Sequence, residues 1–326
     1  TKLTFDNKML LSIFTLLIGL LLLVKGAEIL ISSAIAIGKK LRVSEFFIGL
    51  IVVGFGTSLC ELVVSIDAVI KGSPDISVGN VIGSNIANIF LVTFAAGLTS
   101  ELKSIKVSKF DLFFHLGAHL IFGLIFIFAF LSTKYGLLFI FLFTFYLLRS
   151  FKNSDSKSKD EIVLEKDFFS KISFKNPFLY GLPVAGGSIG ITLFGADITV
   201  DSAISISTIL NISDSFIGLT IIALGTSLPE IATSITAARK GKSNIIVGNI
   251  IGSNIYNLLL ILGFTSLFNS FSYDKDILLD DVYFLSIAAI IFTLFIFKRI
   301  GIGRKVSITC FLIYLMYIGN LYLTNF

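Results

Sequence analysis

Apolar residues run along this chain in stretches of about twenty or more, separated by short polar and charged connectors. That length suits helices that cross a bilayer. Ten spans are predicted, at 9–37, 43–71, 75–98, 110–131, 135–150, 176–209, 214–239, 244–267, 280–297 and 306–324. Some exceed the roughly 20 residues that a bilayer needs, which implies tilt or breaks. The fold class is an all-α integral membrane protein, because only helices and closed barrels satisfy their backbone in lipid.

The polar positions inside the runs are not scattered. Ile48 to Asn88 reads IGLIVVGFGTSLCELVVSIDAVIKGSPDISVGNVIGSNIAN, and Ile217 to Asn257 reads IGLTIIALGTSLPEIATSITAARKGKSNIIVGNIIGSNIYN. The two align without a gap at an offset of 169, with 23 of 41 positions identical. Shared hydrophobicity does not produce that, so the chain is read as a duplication. The match extends outward at the same offset, from GAEILISSAIAI (Gly26–Ile37) to GADITVDSAISI (Gly195–Ile206).

The connectors orient the spans. With the N-terminus outside, 20 basic residues fall in inside connectors and 5 in outside ones, leaving Lys25 within span 1. The inside excess places both termini on the outer side of a plasma or inner membrane. Five spans separate equivalent copies, and five is odd, so the copies cross the bilayer in opposite directions. The expected architecture is two inverted five-helix repeats, residues 1–150 and 176–326, joined by an inside linker at 151–175, with helices 2, 3, 7 and 8 broken at their glycines. The linker contains SDSKSKDE. It lacks an EF-hand pattern, so a flexible tether is favoured over a calcium-sensing patch.

Composition agrees: 55 % of residues are hydrophobic and the mean hydropathy is +0.94. The two cysteines, Cys60 and Cys310, lie in apolar runs, which argues against a structural disulfide. The basic balance belongs to membrane orientation, so no nucleic-acid partner is expected. The run after Lys8 is too long for a signal-peptide core, so no cleavable signal is expected, and the missing initial Met suggests a trimmed chain.

Each copy carries an acid with an escort. Thr57 and Ser58 precede Glu61 by four and three residues, which puts all three on one helix face. Ser84 and Asn88 share a face on the next span. Thr226, Ser227, Glu230, Ser253 and Asn257 repeat the set. Every one of these side chains offers oxygen and none is basic, as suits a hard cation such as calcium. Unwinding at the glycines would free carbonyls, with Gly54 and Ala223 as candidates, while Asn85 and Asn254 would cap the second half-helices. Single hydroxyls in membrane helices commonly bond backbone or pack small. The glutamates differ, since an acid near the bilayer centre costs about 2.5–3.5 kcal/mol even on the mild insertion scale.

GTSLCE and GTSLPE, followed at matching distance by GNVIGSNIAN and GNIIGSNIYN, closely resemble the two alpha-repeats of the sodium/calcium exchanger family, prokaryotic type, within the cation/calcium antiporter superfamily. The resemblance implies a secondary antiporter, not an enzyme, that exports Ca2+ against Na+ by alternating access, without organic cofactor and as a monomer. It implies a calcium site of Glu61, Glu230, Thr57, Thr226 and the carbonyls of Gly54 and Ala223. Flanking sodium sites would use Ser58, Ser84, Ser227 and Ser253, with Asn88 and Asn257 lining the centre. Spans 1 and 6 would slide against the rest. With both acids ionised the site carries −2, which one calcium or two sodium ions neutralise. Three sodium ions leave +1.

This chain departs from the pattern in three places. Cys60 stands where the repeat has proline, as at Pro229, and could alter how span 2 breaks. Potassium-dependent relatives commonly carry aspartate where this chain has Asn257, which favours potassium independence. Asp67 aligns with Thr236 and reads as a snorkelling acid near the outer end of span 2. Elsewhere, Lys25 and Glu28 are placed to pair, and Asp197 and Asp201 could line an entry route or pair elsewhere. His115 and His119 have metal-ligand spacing but no third ligand. A proton-coupled or other-cation antiporter of the same fold is the alternative function, although the acidic motif usual in proton-coupled relatives is missing. A channel and a serine hydrolase fit less well, the latter because neither Ser58 nor Ser227 has a neighbouring base.

Overall fold

The computed structural model describes residues 2–40, 58–103, 105, 107–127, 130–154, 180–239, 241, 243–268 and 271–325. The expected span 43–71 therefore lies partly outside the described residues, as do Gly54, Thr57 and most of the linker at 151–175.

The chain is almost entirely helical. The helices are α1 (Lys2–Lys40), α2 (Leu59–Ile70), α3 (Pro74–Ala87), α4 (Thr93–Thr99), α5 (Lys109–Phe126), α6 (Thr133–Ser154), α7 (Leu182–Leu210), α8 (Asp214–Ile217), α9 (Ala223–Thr226), α10 (Leu228–Arg239), α11 (Ser243–Ile255), α12 (Leu262–Phe268), α13 (Lys275–Phe297) and α14 (Arg304–Asn325). Short π-helical segments join α3 to α4 (Asn88–Val92), α8 to α9 (Gly218–Ile222) and α11 to α12 (Tyr256–Ile261). Among the described residues, eight helical stretches are long and apolar enough to cross a membrane. The expected span at 135–150 falls in α6, a 22-residue helix that is not one of the eight.

The duplication is visible in the element bounds. α2 and α10, each 12 residues long, start 169 residues apart, at Leu59 and Leu228. α4 and α12, seven residues each, begin at Thr93 and Leu262, the same offset. Leu102 pairs with Ile302 as an isolated antiparallel bridge, while Phe130–Leu131 (β1) pairs with Phe271–Ser272 (β2).

α1 and α7 pack along each other. Ser12 bonds Ser205 at 2.9 Å and Ser202 donates to Thr15 at 2.8 Å. Further along, a Cβ at Gly19 would stand 2.6 Å from Thr199 Oγ1, and one at Gly195 would stand 2.5 Å from the Leu23 nitrogen. Partner numbers fall on α7 as they rise on α1, so the two helices are antiparallel. Small residues let the backbones approach, as membrane helices require when lipid is as apolar as their side chains. One face of this pair packs with Cys60, Val64 and Ala68 of α2 in a cluster separate from the main core. The main core gathers α3, α5, α11 and α13 with the π segments.

Two expectations about breaks change. Spans 3 and 8 are not interrupted: the helix passes through Asn88–Val92 and Tyr256–Ile261 as a widened turn. Asn85 and Asn254 therefore lie inside α3 and α11 and cap nothing. Gly83, expected to unwind its helix, serves close packing instead, since a Cβ there would stand 2.7 Å from the Ala223 side chain. Span 7 does break, at Ser227 (φ −82°, ψ 1°) between α9 and α10.

Candidate functional site

The break at Ser227 follows from the sequence around it. Pro229 has no N–H, so the carbonyl four residues earlier loses its helical partner and the helix restarts. Ser58, just ahead of α2, has the same backbone (φ −81°, ψ 8°) although Cys60 replaces the proline. Cys60 therefore does not alter the turn. Its thiol lies 3.9 Å from the Leu23 carbonyl.

These two turns bring the acids to the start of α2 and α10. Glu61, Glu230, Ser58, Ser84, Asn88, Thr226, Ser227, Ser253 and Asn257 are all buried. Ser58 donates to Glu230 Oε1 at 3.5 Å, which joins the two copies directly. Its counterpart Ser227 lies beside Glu61, without a hydrogen bond of good geometry. Ser84 Oγ and Thr226 Oγ1 are 3.4 Å apart, again across the copies. Ser253 and Asn257 reach the site on α11 and the following π segment. The Ala223 carbonyl accepts from Ser227 N at 3.1 Å and from Thr226 Oγ1 at 3.3 Å, so it is occupied rather than bare.

The sequence reading passed over two residues at the centre of this arrangement. Asn80 on α3 donates to the Glu61 carbonyl at 3.4 Å and to Ser65 Oγ at 3.1 Å. Its own amide oxygen accepts from Thr226 at 3.1 Å and Ser84 at 3.4 Å. Asn249 on α11 repeats this, donating to the Glu230 carbonyl at 3.4 Å and Ser234 Oγ at 3.2 Å and accepting from Ser253 at 3.4 Å. Each amide ties the acid-bearing helix to the hydroxyl-bearing one. The signal was present in both GN dipeptides of the repeat, but no helical spacing links Asn80 to Glu61, so only the packing reveals the role.

Among the described residues, both Glu61 carboxylate oxygens, both amide atoms of Asn88 and of Asn257, and the Ser227 hydroxyl are buried without a hydrogen-bond partner. Leaving such groups unmatched costs free energy comparable to a lost hydrogen bond each, and more for a charge. No Lys or Arg pairs with Glu61 there; the ion pairs of the described residues lie elsewhere. The donor set is oxygen-rich, anionic and enclosed, which suits a desolvated hard cation.

The remaining polar residues resolve simply. Lys25 and Glu28 pair at 2.7 Å. Lys71 bonds Asp67 at 2.9 Å, Asp197 at 2.7 Å and Asp201 at 2.8 Å, which ties the end of α2 to α7. His119 Nδ1 bonds the His115 carbonyl at 2.8 Å. No group of three His, Cys, Asp or Glu side chains placed to hold a metal occurs among the described residues.

Residues 11–152 and 181–323 match the family model described as sodium/calcium exchanger protein. The chain belongs to the sodium/calcium exchanger family. Among the relatives of this exchanger-family chain, the sodium/calcium exchanger MaX1 of Methanosarcina acetivorans is 36 % identical over 289 residues, covering 78 % of this chain and 82 % of that one. The inner membrane protein YrbG of Escherichia coli is 33 % identical over 299 residues, covering 89 % and 90 %. In three dimensions the chain is similar to the sodium-calcium exchanger NCX_Mj soaked with 10 mM Na+ and 10 mM Sr2+, at a TM-score of 0.63 and 31 % identity over 95 % of this chain and 98 % of that one. With these relatives and its apolar helices, this member of the exchanger family is a multi-pass membrane protein.

Proposed function

We propose that this chain is a sodium/calcium antiporter that exports Ca2+ in exchange for Na+ by alternating access. The observation that carries the reading is the buried set around Glu61 and Glu230, present in duplicate and short of hydrogen-bond partners at Glu61, Asn88, Asn257 and Ser227. Glu61 and Glu230 hold calcium with the hydroxyls of Thr57 and Thr226. The carbonyls of Gly54 and Ala223 complete the shell, the latter by sharing the lone pairs that now take Thr226 and Ser227. Ser58, Ser84, Ser227 and Ser253 serve flanking sodium sites, and Asn88 and Asn257 line the centre. Because sodium and calcium draw on the same oxygens, occupancy by one excludes the other, and that competition is the coupling.

The architecture we assign is ten spans in two inverted repeats, 1–150 and 176–326, around a linker at 151–175, with both termini outside. The antiparallel contact of α1 with its repeat counterpart α7 supports the inversion. The two segments matched by the family model flank the linker. The separate packing of α1 and α7 supports their sliding against the rest.

The test is calcium uptake into sodium-loaded proteoliposomes diluted into sodium-free or equal-sodium medium. Uptake driven only by the outward sodium gradient is the expected result. Uptake that ignores sodium and follows an imposed pH gradient would move the chain to proton coupling, and uptake under neither would reopen the substrate.

A further inference from the structure

Asn254 sits on α11 between two residues of the proposed site, one after Ser253 and three before Asn257. Its side chain is fully buried. Its amide nitrogen lies 3.4 Å from His115 Nε2, and His115 Nδ1 lies 3.3 Å from Thr293 Oγ1. An amide nitrogen can only donate, so His115 Nε2 accepts. The neutral imidazole then carries its proton on Nδ1 and donates it to Thr293. The result is a directed chain, Asn254 to His115 to Thr293, that joins α11, α5 and α13 inside the apolar core.

The chain is placed where it matters. Two residues after Asn254 the helix widens into the π segment Tyr256–Ile261, which carries Asn257. A π turn is an uncommon local winding that recurs at functional sites. A buried bond just before it fixes where the widening starts, and hence where Ser253 and Asn257 point. The first copy has no such bond among the described residues. Asn85, the counterpart of Asn254, is equally buried, and neither of its amide atoms has a hydrogen-bond partner. The second imidazole does not share the task, since His119 Nδ1 is engaged by the His115 carbonyl.

We propose that His115 is a positioning residue for cation binding, holding Asn254 so that Ser253 and Asn257 of the second copy stay aligned for the ion, with Thr293 fixing the tautomer. This rests on the site proposed above. The experiment measures half-saturating calcium and maximal rate in sodium-loaded proteoliposomes for the unaltered chain, His115→Leu, His115→Gln and Thr293→Val. His115→Leu should raise half-saturating calcium about tenfold, the worth of one buried hydrogen bond, while changing the maximal rate far less. His115→Gln, whose amide oxygen can accept from Asn254, should recover most of that affinity. Thr293→Val, which keeps the volume and removes the hydroxyl, should shift affinity the same way by less.

Unchanged half-saturating calcium in His115→Leu overturns the proposal, as does equal impairment of the Leu and Gln variants, which would mark mere filling of space. Should His115→Leu fail to reach the membrane, Thr293→Val decides alone, and an unchanged affinity there overturns it. The unaltered chain separates the two readings. If it fails to exchange sodium for calcium, the antiport reading falls. If it exchanges and the variants match it, only the role of His115 falls.

Discussion

The two copies of the repeat share a frame and differ in what surrounds it. In both, an asparagine on the second helix, Asn80 or Asn249, holds the carbonyl of the glutamate on the first. In both, the acid-bearing helix starts at a serine with nearly identical backbone angles. The differences lie one layer out. The first copy ends in the Lys71 network with Asp67, Asp197 and Asp201, where the second has Thr236 in place of Asp67. The second copy has Asn254 held by His115, where Asn85 has no partner. The lesson is that the part facing the ion is held to pseudo-symmetry, whereas the supports are free to diverge, because only the former must present the same oxygens from both sides.

The harshest way to break the comparison is to neutralise one acid at a time. Glu61→Gln and Glu230→Gln should each abolish sodium-dependent calcium uptake, since each removes a full charge from the ligand shell. Normal transport by either variant would show that the copies are not equivalent partners in one site. Next come the amides. Asn80→Ala and Asn249→Ala each strand a buried glutamate carbonyl and a serine hydroxyl, and each should cost about 1–3 kcal/mol of stability, read as thermal unfolding in detergent. Asn80 also collects Thr226 and Ser84, so its loss should weaken calcium binding too. A neutral result for Asn80 alone would deny that it organises the site.

Two milder changes sharpen the contrast. Lys71→Met leaves three aspartates facing one another where one ammonium now serves them. The network is partly exposed, so the loss should be about 1 kcal/mol or less, and it should shrink as salt rises. A loss that ignores salt would point to packing rather than charge. Smallest of all is Cys60→Pro, which copies the second repeat into the first. Ser58 already has the turn found ahead of Pro229, and position 60 lies in the first turn of its helix, where proline is tolerated. Stability should change by no more than about 1 kcal/mol. A large loss would mean that the buried thiol packs against α1 in a way that proline cannot match.

What the linear chain determined is the part written in spacing and repetition. The offset of 169 residues, the apolar runs, and the acid with its hydroxyls three and four residues away are local facts, and helical periodicity alone puts Ser58 with Glu61. Only the tertiary structure decided which helices meet. Asn80 and Asn249 act across a turn, on backbone atoms 19 residues away. His115 reaches Asn254 over 139 residues. Glycines that read as breaks proved to be contacts, because a missing side chain permits either unwinding or close approach and the chain carries no sign of which. The same holds for the π segments: a widened turn depends on the bonds that a helix gives up to its neighbours, and neighbours exist only once the chain has folded.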